Sequence, residues 1–198
     1  MREQLRPTIV LLLICLAMTF CLALVNGATV DVIAARQAAD ASAKRLEVMP
    51  QADEFTELES AEWQSLVSDS PVTAVYQAKA DGAAVGYVYD VTVDGYGGAV
   101  SLIIAVQADD LTLSGVRVLS HQETAGLGAK IVEKDFLDRF AGKGGPTTVL
   151  NVIRSGGAAG PDSIEAIASA TISSRAVVNA ANAALKLSEA LVNGGVTP

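Results

Sequence analysis

The chain has 198 residues, enough for one domain plus an extension at roughly 150 residues per domain. Hydrophobic residues make up 51% of it and charged residues 18%, so the chain is too apolar to be disordered. Its net charge is -8 and its Lys and Arg residues are dispersed, which argues against nucleic-acid binding. With 2 Cys and 1 His, it lacks the usual ligand sets of zinc, haem and iron–sulfur sites. Redox or transfer chemistry must therefore come from an organic cofactor or from a partner.

The N-terminal segment predicts a membrane helix. Between Arg6 and Asp31 there is no charged residue, and residues 9–25 are apolar apart from Thr19. At about 1.5 Å per residue this core spans roughly 26 Å, most of the hydrocarbon thickness of a bilayer. Because Arg2 and Arg6 precede it, the positive-inside rule places the N-terminus in the cytoplasm and the rest of the chain outside.

A cleaved signal peptide is the alternative interpretation, because the segment ends in the small residues Gly27 and Ala28. The apolar run exceeds the roughly 7–15 residues of a signal peptide, which favours an uncleaved transmembrane anchor over residues 1–28. Both interpretations export the remaining chain. Cys15 and Cys21 lie inside the segment, so disulfides cannot stabilise the exported part.

A helical stalk is predicted over residues 29–70. Residues 31–48 are rich in Ala, Gln, Lys and Glu and continue the membrane helix, which Pro50 ends. The acidic stretch 55–67 contains the only Trp of the chain and predicts a second, short helix.

A sheet is predicted after the stalk. Residues 72–79 and 83–93 flank an Asp-Gly turn, which is the strongest short-range signal for a hairpin. Residues 100–106 and 111–119 predict a second hairpin. Alternation in the second strand indicates one buried face, formed by Val85, Tyr87, Tyr89, Val91 and Val93.

Helices and one further strand follow the hairpins. A loop over residues 120–128 leads into a helix over 130–140, then a strand over 147–154 and a last helix over 173–193. Hairpins mixed with helices, without βαβ alternation, indicate the α+β class, with an antiparallel sheet packed by helices.

The first candidate site is a segment at the start of the last helix in which four of six residues carry a hydroxyl group, Ser169-Ala170-Thr171-Ile172-Ser173-Ser174. Free N–H groups and the positive end of the helix dipole make this an anion site suited to phosphate. The alternative is an ordinary N-cap, since Ser and Thr are favoured cap residues.

The second candidate site is the polar loop before the middle helix. Gly126 and Gly128 let the backbone approach a flat ligand, to which His121 and Glu123 would hydrogen-bond while Leu127 covers a ring face. A structural turn is the alternative. The Gly-rich loop around Tyr96, at residues 94–98, is interpreted as structural.

Both candidate segments resemble the RnfG family, which comprises one of the subunits of the Rnf electron-transport complex. The sequence of residues 121–131 is similar to the family pattern H-x-E-T-P-G-L-G-x-K-I. Residues 167–174 are similar to its flavinylation motif, I-S-G-A-T-x-T/S-S, and loop 94–98 matches a weaker feature. The related NqrC subunits share E-T-P-G-L-G in a chain that is usually longer. The similarity extends over about residues 5–190.

The resemblance implies an FMN-binding domain over residues 71–198, with FMN attached through its phosphate to Thr171 as a phosphoester. A flavin transferase that uses FAD would make this bond. The implied wall near the flavin ring consists of Glu123, Thr124, Leu127 and Gly128. The implied surroundings of the phosphate are Ala170, Ser173 and Ser174.

Four positions depart from the family pattern. Ala125 replaces Pro, Glu165 replaces Asp, and Ala168-Ser169 replaces Ser-Gly. Ser169 thus takes the place of Gly, the residue that tolerates a positive φ at least cost. These departures concern recognition by the transferase rather than the fold.

The resemblance implies a membrane-anchored component of an ion-translocating ferredoxin:NAD oxidoreductase in the bacterial inner membrane, with its C-terminal domain on the periplasmic side. It would relay electrons through FMN among other membrane and peripheral subunits, in contact with lipid and without turnover alone. The alternative is a non-redox exported sensory or scaffold module, in which Thr171 is only a helix cap.

Overall fold

The N-terminal helix is long and contains an apolar stretch. The computed structural model describes residues 2–67, 70–157 and 160–194. The chain divides into two compact units, one up to Asp40 and one from Ala41 onward. Helix α1 (Arg2–Val48) is long and apolar enough to cross a membrane, as predicted, and it ends just before Pro50.

The second unit is built on a five-stranded antiparallel sheet in which each strand pairs with the next along the chain. Both predicted hairpins are confirmed. The strands are β1 (Glu54–Glu57), β2 (Val72–Ala80), β3 (Ala83–Asp94), β4 (Ala99–Gln107) and β5 (Leu113–His121).

The segment before β2 differs from the predicted stalk. The helix expected within residues 55–67 is the short α2 (Ser60–Trp63), and the residues before it form β1. The acidic sequence of β1 has no alternation of its own, and it is extended because it pairs with residues 76–79 of β2. The stalk was expected to reach residue 70, whereas the compact unit begins at Ala41 and includes β1 and α2.

The sheet is covered on both faces. Helix α4 (Thr171–Asn193), predicted to begin two residues later, packs on the face that contains Tyr87, Tyr89 and Val91. Val85, predicted for the same face, instead packs with the opposite cluster. That second cluster lies against the end of α1 and comprises Val48, Met49, Ala52, Ala78, Val88, Ile103 and Ala105.

The middle of the chain is less regular than predicted. Instead of one helix over 130–140 it forms a 3-10 turn (Gly128–Val132), α3 (Lys134–Leu137) and a second 3-10 turn (Asp138–Phe140). The break lies at Glu133, whose ψ of 135° is extended. The buried rings of Phe136 and Phe140 pack edge to face.

The strand expected over residues 147–154 is shorter. It comprises β6 (Asn151–Ile153), which pairs in parallel with β7 (Ser163–Glu165). The backbone of Leu150 bonds instead to the side chain of Asn182 on α4, through distances of 2.8 and 3.0 Å. Helices packed on an antiparallel main sheet confirm the predicted α+β class.

Candidate functional site

Three segments far apart in sequence enclose a cavity of about 400 Å³, within the usual size of small-molecule sites. They are the β3–β4 loop, the loop after β5 and the start of α4. The residues that line the cavity are Tyr96, Glu123, Thr124, Leu127, Gly128, Ser169, Ala170, Thr171, Ile172 and Ser173.

The cavity brings together seven of the eight residues expected to bind the cofactor. The exception is Ser174, whose side chain is buried beneath the start of the helix. Its hydroxyl donates to the carbonyl of Ala170 and accepts from the N–H of Ile167, both at 2.9 Å. Ser174 therefore stabilises the start of α4 and does not face the cavity.

Three residues of the cavity wall are not among the eight expected to bind the cofactor. Tyr96, in the loop 94–98 that is interpreted as structural, lines the cavity, and most of its side chain is exposed. Ser169 and Ile172 flank the predicted Thr171. The glycines on either side of Tyr96 are the only nearby sequence feature that marks this loop. Tyr96 comes close to the start of α4 because β3 and β4 pair on either side of the loop, which neighbouring residues do not reveal.

The N-terminus of α4 has unpaired N–H groups at the cavity. Its N-cap is Ala170, and no side chain caps the helix. The bond from Ser174 N to Ala170 O, at 3.0 Å, is the first of the helix, so the N–H groups of Thr171, Ile172 and Ser173 have no intrahelical acceptor. The hydroxyl residues are thus not serving as an ordinary cap, and this end of the helix can bind an anion.

The backbone just before α4 is strained. Ser169 has a φ of 66°, in the left-handed region that favours glycine. Ser169, which replaces the glycine of the family pattern, thus adopts a positive φ. The sharp bend that results places Ala170 at the N-cap and leaves Thr171 exposed at the start of the helix.

The polar groups of the second predicted segment are largely paired within the protein. Glu123 Oε1 accepts hydrogen bonds from the N–H groups of Tyr96 (2.7 Å) and Gly97 (3.4 Å), and its Oε2 accepts one from Ser173 Oγ (2.8 Å). His121 lies outside the cavity wall, and its Nδ1 accepts from the N–H of Glu123. The hydrogen bonds that the structure shows for these two side chains are to other groups of the protein.

The rim of the cavity is apolar. Tyr96, Leu127 and Ile172 each line the cavity and have exposed side chains. Among the lining residues, all of which the structure describes, none is basic, and Glu123 is the only carboxylate. The arrangement suits a flat apolar ring at the rim and an anion at the backbone N–H groups.

Glu165 lies outside the cavity wall and stabilises a neighbouring loop. Its Oε1 accepts from the N–H of Gly156 (2.6 Å) and from Ser155 Oγ (3.0 Å). The Gly156 N–H and the Ser155 hydroxyl, helped by the charge of Arg139, lower the pKa of Glu165. Arg139 also donates to the backbone carbonyl of Glu165 at 2.6 Å.

No group of three metal-ligating side chains is present in the described ranges.

Comparison with known proteins gives a consistent result. Residues 95–186 match the FMN-binding domain family. The G subunit of an ion-translocating oxidoreductase complex from Cereibacter sphaeroides is 38% identical over 84% of this chain and 75% of its own. The corresponding protein from Methanosarcina acetivorans is 33% identical over 70% of each chain. The G subunit of a Na(+)-translocating ferredoxin:NAD(+) oxidoreductase complex from Acetobacterium woodii is 28% identical over 84% of this chain and 82% of its own.

Two solved structures share the fold. NqrC from Shewanella oneidensis aligns with a TM-score of 0.54 and 20% identity, over 73% of this chain and 71% of its own. The C subunit of the Na(+)-translocating NADH-quinone reductase from Parabacteroides distasonis aligns with a TM-score of 0.51 and 28% identity, over 60% and 62%.

Proposed function

Because the chain belongs to the RnfG family, the G subunits of ion-translocating oxidoreductase complexes, we propose that it relays electrons through FMN joined to Thr171 by a phosphoester. It would do so as the membrane-anchored flavoprotein of an ion-translocating ferredoxin:NAD oxidoreductase. The single observation that carries the proposal is the position of Thr171, exposed on the cavity wall beside unpaired N–H groups.

The start of α4 fits a phosphoester. A phosphate on the Thr171 hydroxyl would lie next to the N–H groups of Ile172 and Ser173, at the positive end of a 23-residue helix. No basic side chain lines the cavity, so backbone N–H groups and the helix dipole would hold the phosphate. The covalent bond would keep the flavin on an exported domain, from which an exchangeable cofactor diffuses away.

The rim fits the flavin ring. Leu127 and Ile172 offer apolar surface and Tyr96 an aromatic face, while Thr124 and the backbone at Gly128 complete the wall. When bound, FMN supplies the electron-transfer chemistry. The residues of this chain orient the ring, exclude water from part of it and set the charge around it.

The proposed partners follow from what the chain contains. Its sequence has no iron–sulfur or nucleotide-binding motif, so ferredoxin and NAD would bind to other subunits. A flavin transferase would attach the cofactor. The apolar part of α1 would contact lipid of the bacterial inner membrane, and Arg2 and Arg6 would keep the N-terminus cytoplasmic, with the flavin domain on the periplasmic side.

The test is a denaturing gel viewed under ultraviolet light, with the full chain co-expressed with a flavin transferase. We expect a fluorescent wild-type band, a dark Thr171→Ala band and a fluorescent Thr124→Ala band. Thr124 is the matched control because it is the other threonine of the cavity wall. A dark wild-type band, or a fluorescent Thr171→Ala band, contradicts the proposed linkage.

A second measurement separates electron relay from a sensory or scaffold role. Thr171→Ala should abolish electron transfer in a complex that still assembles. Normal ion-coupled activity in that variant would contradict the redox role.

A further inference from the structure

One buried carboxylate connects all three segments of the cavity. Glu123 is only 8% exposed, yet it lines the cavity. Its Oε1 holds the β3–β4 loop through the N–H of Tyr96, and its Oε2 holds the first turn of α4 through the hydroxyl of Ser173. Glu123 itself belongs to the loop after β5, so its side chain bridges the other two segments.

Two glycines leave room for this carboxylate. A Cβ atom at Gly95 would overlap Oε1 of Glu123, and one at Gly128 would overlap Oε2 and approach Ser173 Oγ to 2.7 Å. The carboxylate is thus enclosed from two sides and fixed by hydrogen bonds at both oxygens. Such a site holds the side chain in one orientation.

We propose that Glu123 is a positioning residue that holds Tyr96 at the rim of the cavity and gives the flavin site a fixed negative charge. This inference rests on the proposed function. We assign its action on the flavin to Tyr96 and to its charge, since Oε1 accepts from the N–H of Tyr96 and Oε2 from the hydroxyl of Ser173. Tyr96 is the residue that moves when the bridge is broken.

The charge has a defined consequence for the flavin. A buried negative charge in the cavity wall opposes the addition of electrons to a group bound there, and its effect is only partly screened because Glu123 is 8% exposed. Glu123 therefore lowers the reduction potential of the flavin. This effect separates Glu123 from a residue with a purely structural role.

Substitutions can separate the two hydrogen bonds of Glu123 to Tyr96 and Ser173, which we call the bridge, from the charge of Glu123. In Glu123→Gln the amide oxygen can still accept from the N–H of Tyr96, and the amide nitrogen can donate to Ser173 Oγ, whose hydroxyl rotates to accept. Glu123→Ala removes both bridge and charge. Gly128→Ala keeps Glu123 but places a methyl group in the space of its carboxylate. Glu133→Gln is the matched control, since Glu133 is exposed and lies outside the cavity wall.

The bridge is tested by amide hydrogen exchange on the flavin-free full chain in detergent. Amide exchange at Tyr96 and Gly97 should be about tenfold faster or more in Glu123→Ala and in Gly128→Ala. In each variant these two N–H groups lose their hydrogen bonds to the carboxylate of Glu123. It should stay at the wild-type rate in Glu133→Gln. Unchanged exchange at Tyr96 in Glu123→Ala, with the sheet still protected, overturns the proposal.

The charge is tested by the midpoint potential of the flavin-loaded full chain. Glu123→Gln should raise it, whereas Glu133→Gln should leave it at the wild-type value. Equal potentials in Glu123→Gln and wild type overturn the proposed effect of the charge. Because the exchange measurement needs no flavin, failure of the flavin linkage shows on the gel and is distinguishable from failure of the bridge.

Discussion

Arg45, in the last turn of α1, forms an ion pair with Asp90 in the central part of β3, with Nη2 and Oδ2 2.7 Å apart. The guanidinium also lies 3.8 Å from the ring centre of Tyr76. Burial raises the pKa of Asp90, and the charge of Arg45 opposes this rise. The pair thus couples the end of the N-terminal helix to the sheet, within the second compact unit.

Arg45→Ala should destabilise the compact unit by about 2 kcal/mol, because it leaves the carboxylate of Asp90 buried without its partner. The side chains of Arg45 and Asp90 are only 12% and 19% exposed. Denaturant unfolding in detergent, followed by the fluorescence of the buried Trp63, measures the change. Lys134→Ala is the control, because its ion pair with Asp138 is exposed and contributes little. Equal losses in the two variants would contradict this role of Arg45.

Ser169→Gly should stabilise the protein by about 1 kcal/mol. Ser169 has a φ of 66°, which costs energy for any residue with a Cβ atom and little for glycine. Ala168→Gly is the control: it lies next to Ser169, is exposed and has no positive φ, so glycine there should destabilise slightly. Thermal unfolding of the two variants tests this prediction. It fails if both substitutions shift the midpoint temperature of unfolding in the same direction.

Glu165→Gln should reduce stability at neutral pH and leave it unchanged in strong acid. Hydrogen bonds from Gly156 and Ser155 hold the folded-state pKa of Glu165 below its ordinary value of 4.5. The ionised carboxylate therefore stabilises the fold above that value, and the contribution is lost as pH falls through the lower folded-state pKa. Urea unfolding measures the free energy of unfolding of wild type and Glu165→Gln. The difference between them should disappear as the pH falls from about 7 to about 2.

Ser155→Ala should show a smaller difference from wild type with the same dependence on pH, because the N–H of Gly156 still donates to Glu165. A difference for Glu165→Gln that is constant across the pH range would contradict the assignment.

Tyr89→Phe should cost about 1 kcal/mol at neutral pH, since it removes the buried hydrogen bond between Tyr89 and Ser188, 2.6 Å long. Ser188 keeps its bond to the carbonyl of Ala184. Burial raises the pKa of Tyr89 far above the ordinary value of 10.0, so the unfolded chain loses this proton first. The wild type then loses stability above about pH 10, and the cost of the variant shrinks there.

Urea unfolding at neutral and alkaline pH tests this dependence. Tyr96→Phe is the control, because Tyr96 is exposed. A loss of unfolding free energy in Tyr89→Phe that grows with pH would contradict the burial of the Tyr89 hydroxyl.

The sequence predicted the elements whose signals are local. An Asp-Gly turn and an alternating strand fix the β2–β3 hairpin, and a long run of small and apolar residues ending at Gly194 fixes α4. The start of α4 was predicted at Ser173, two residues after its observed start. The chain instead bends at Ser169 and caps the helix with Ala170, a backbone feature that no side-chain preference reveals.

The elements that were missed depend on distant partners. Strand β1 is extended because β2 lies beside it, and the helix after β5 breaks at Glu133 while its apolar residues stay buried. The seven cavity residues that were predicted lie in the two segments that resemble the RnfG family, whereas Tyr96 is placed at the cavity by strand pairing and by the hydrogen bond to Glu123. Neighbouring residues alone do not encode that contact.

The consecutive order of the strands has a consequence for biogenesis. Each strand pairs with the one made just before it, so the main sheet has low contact order and can form while the chain is still emerging. Helix α4 comes last, and it carries the proposed acceptor, Thr171, to loops made earlier. A maturation enzyme that reads the assembled cavity would therefore modify only chains that have completed folding, and truncated or misfolded chains would be left unmodified.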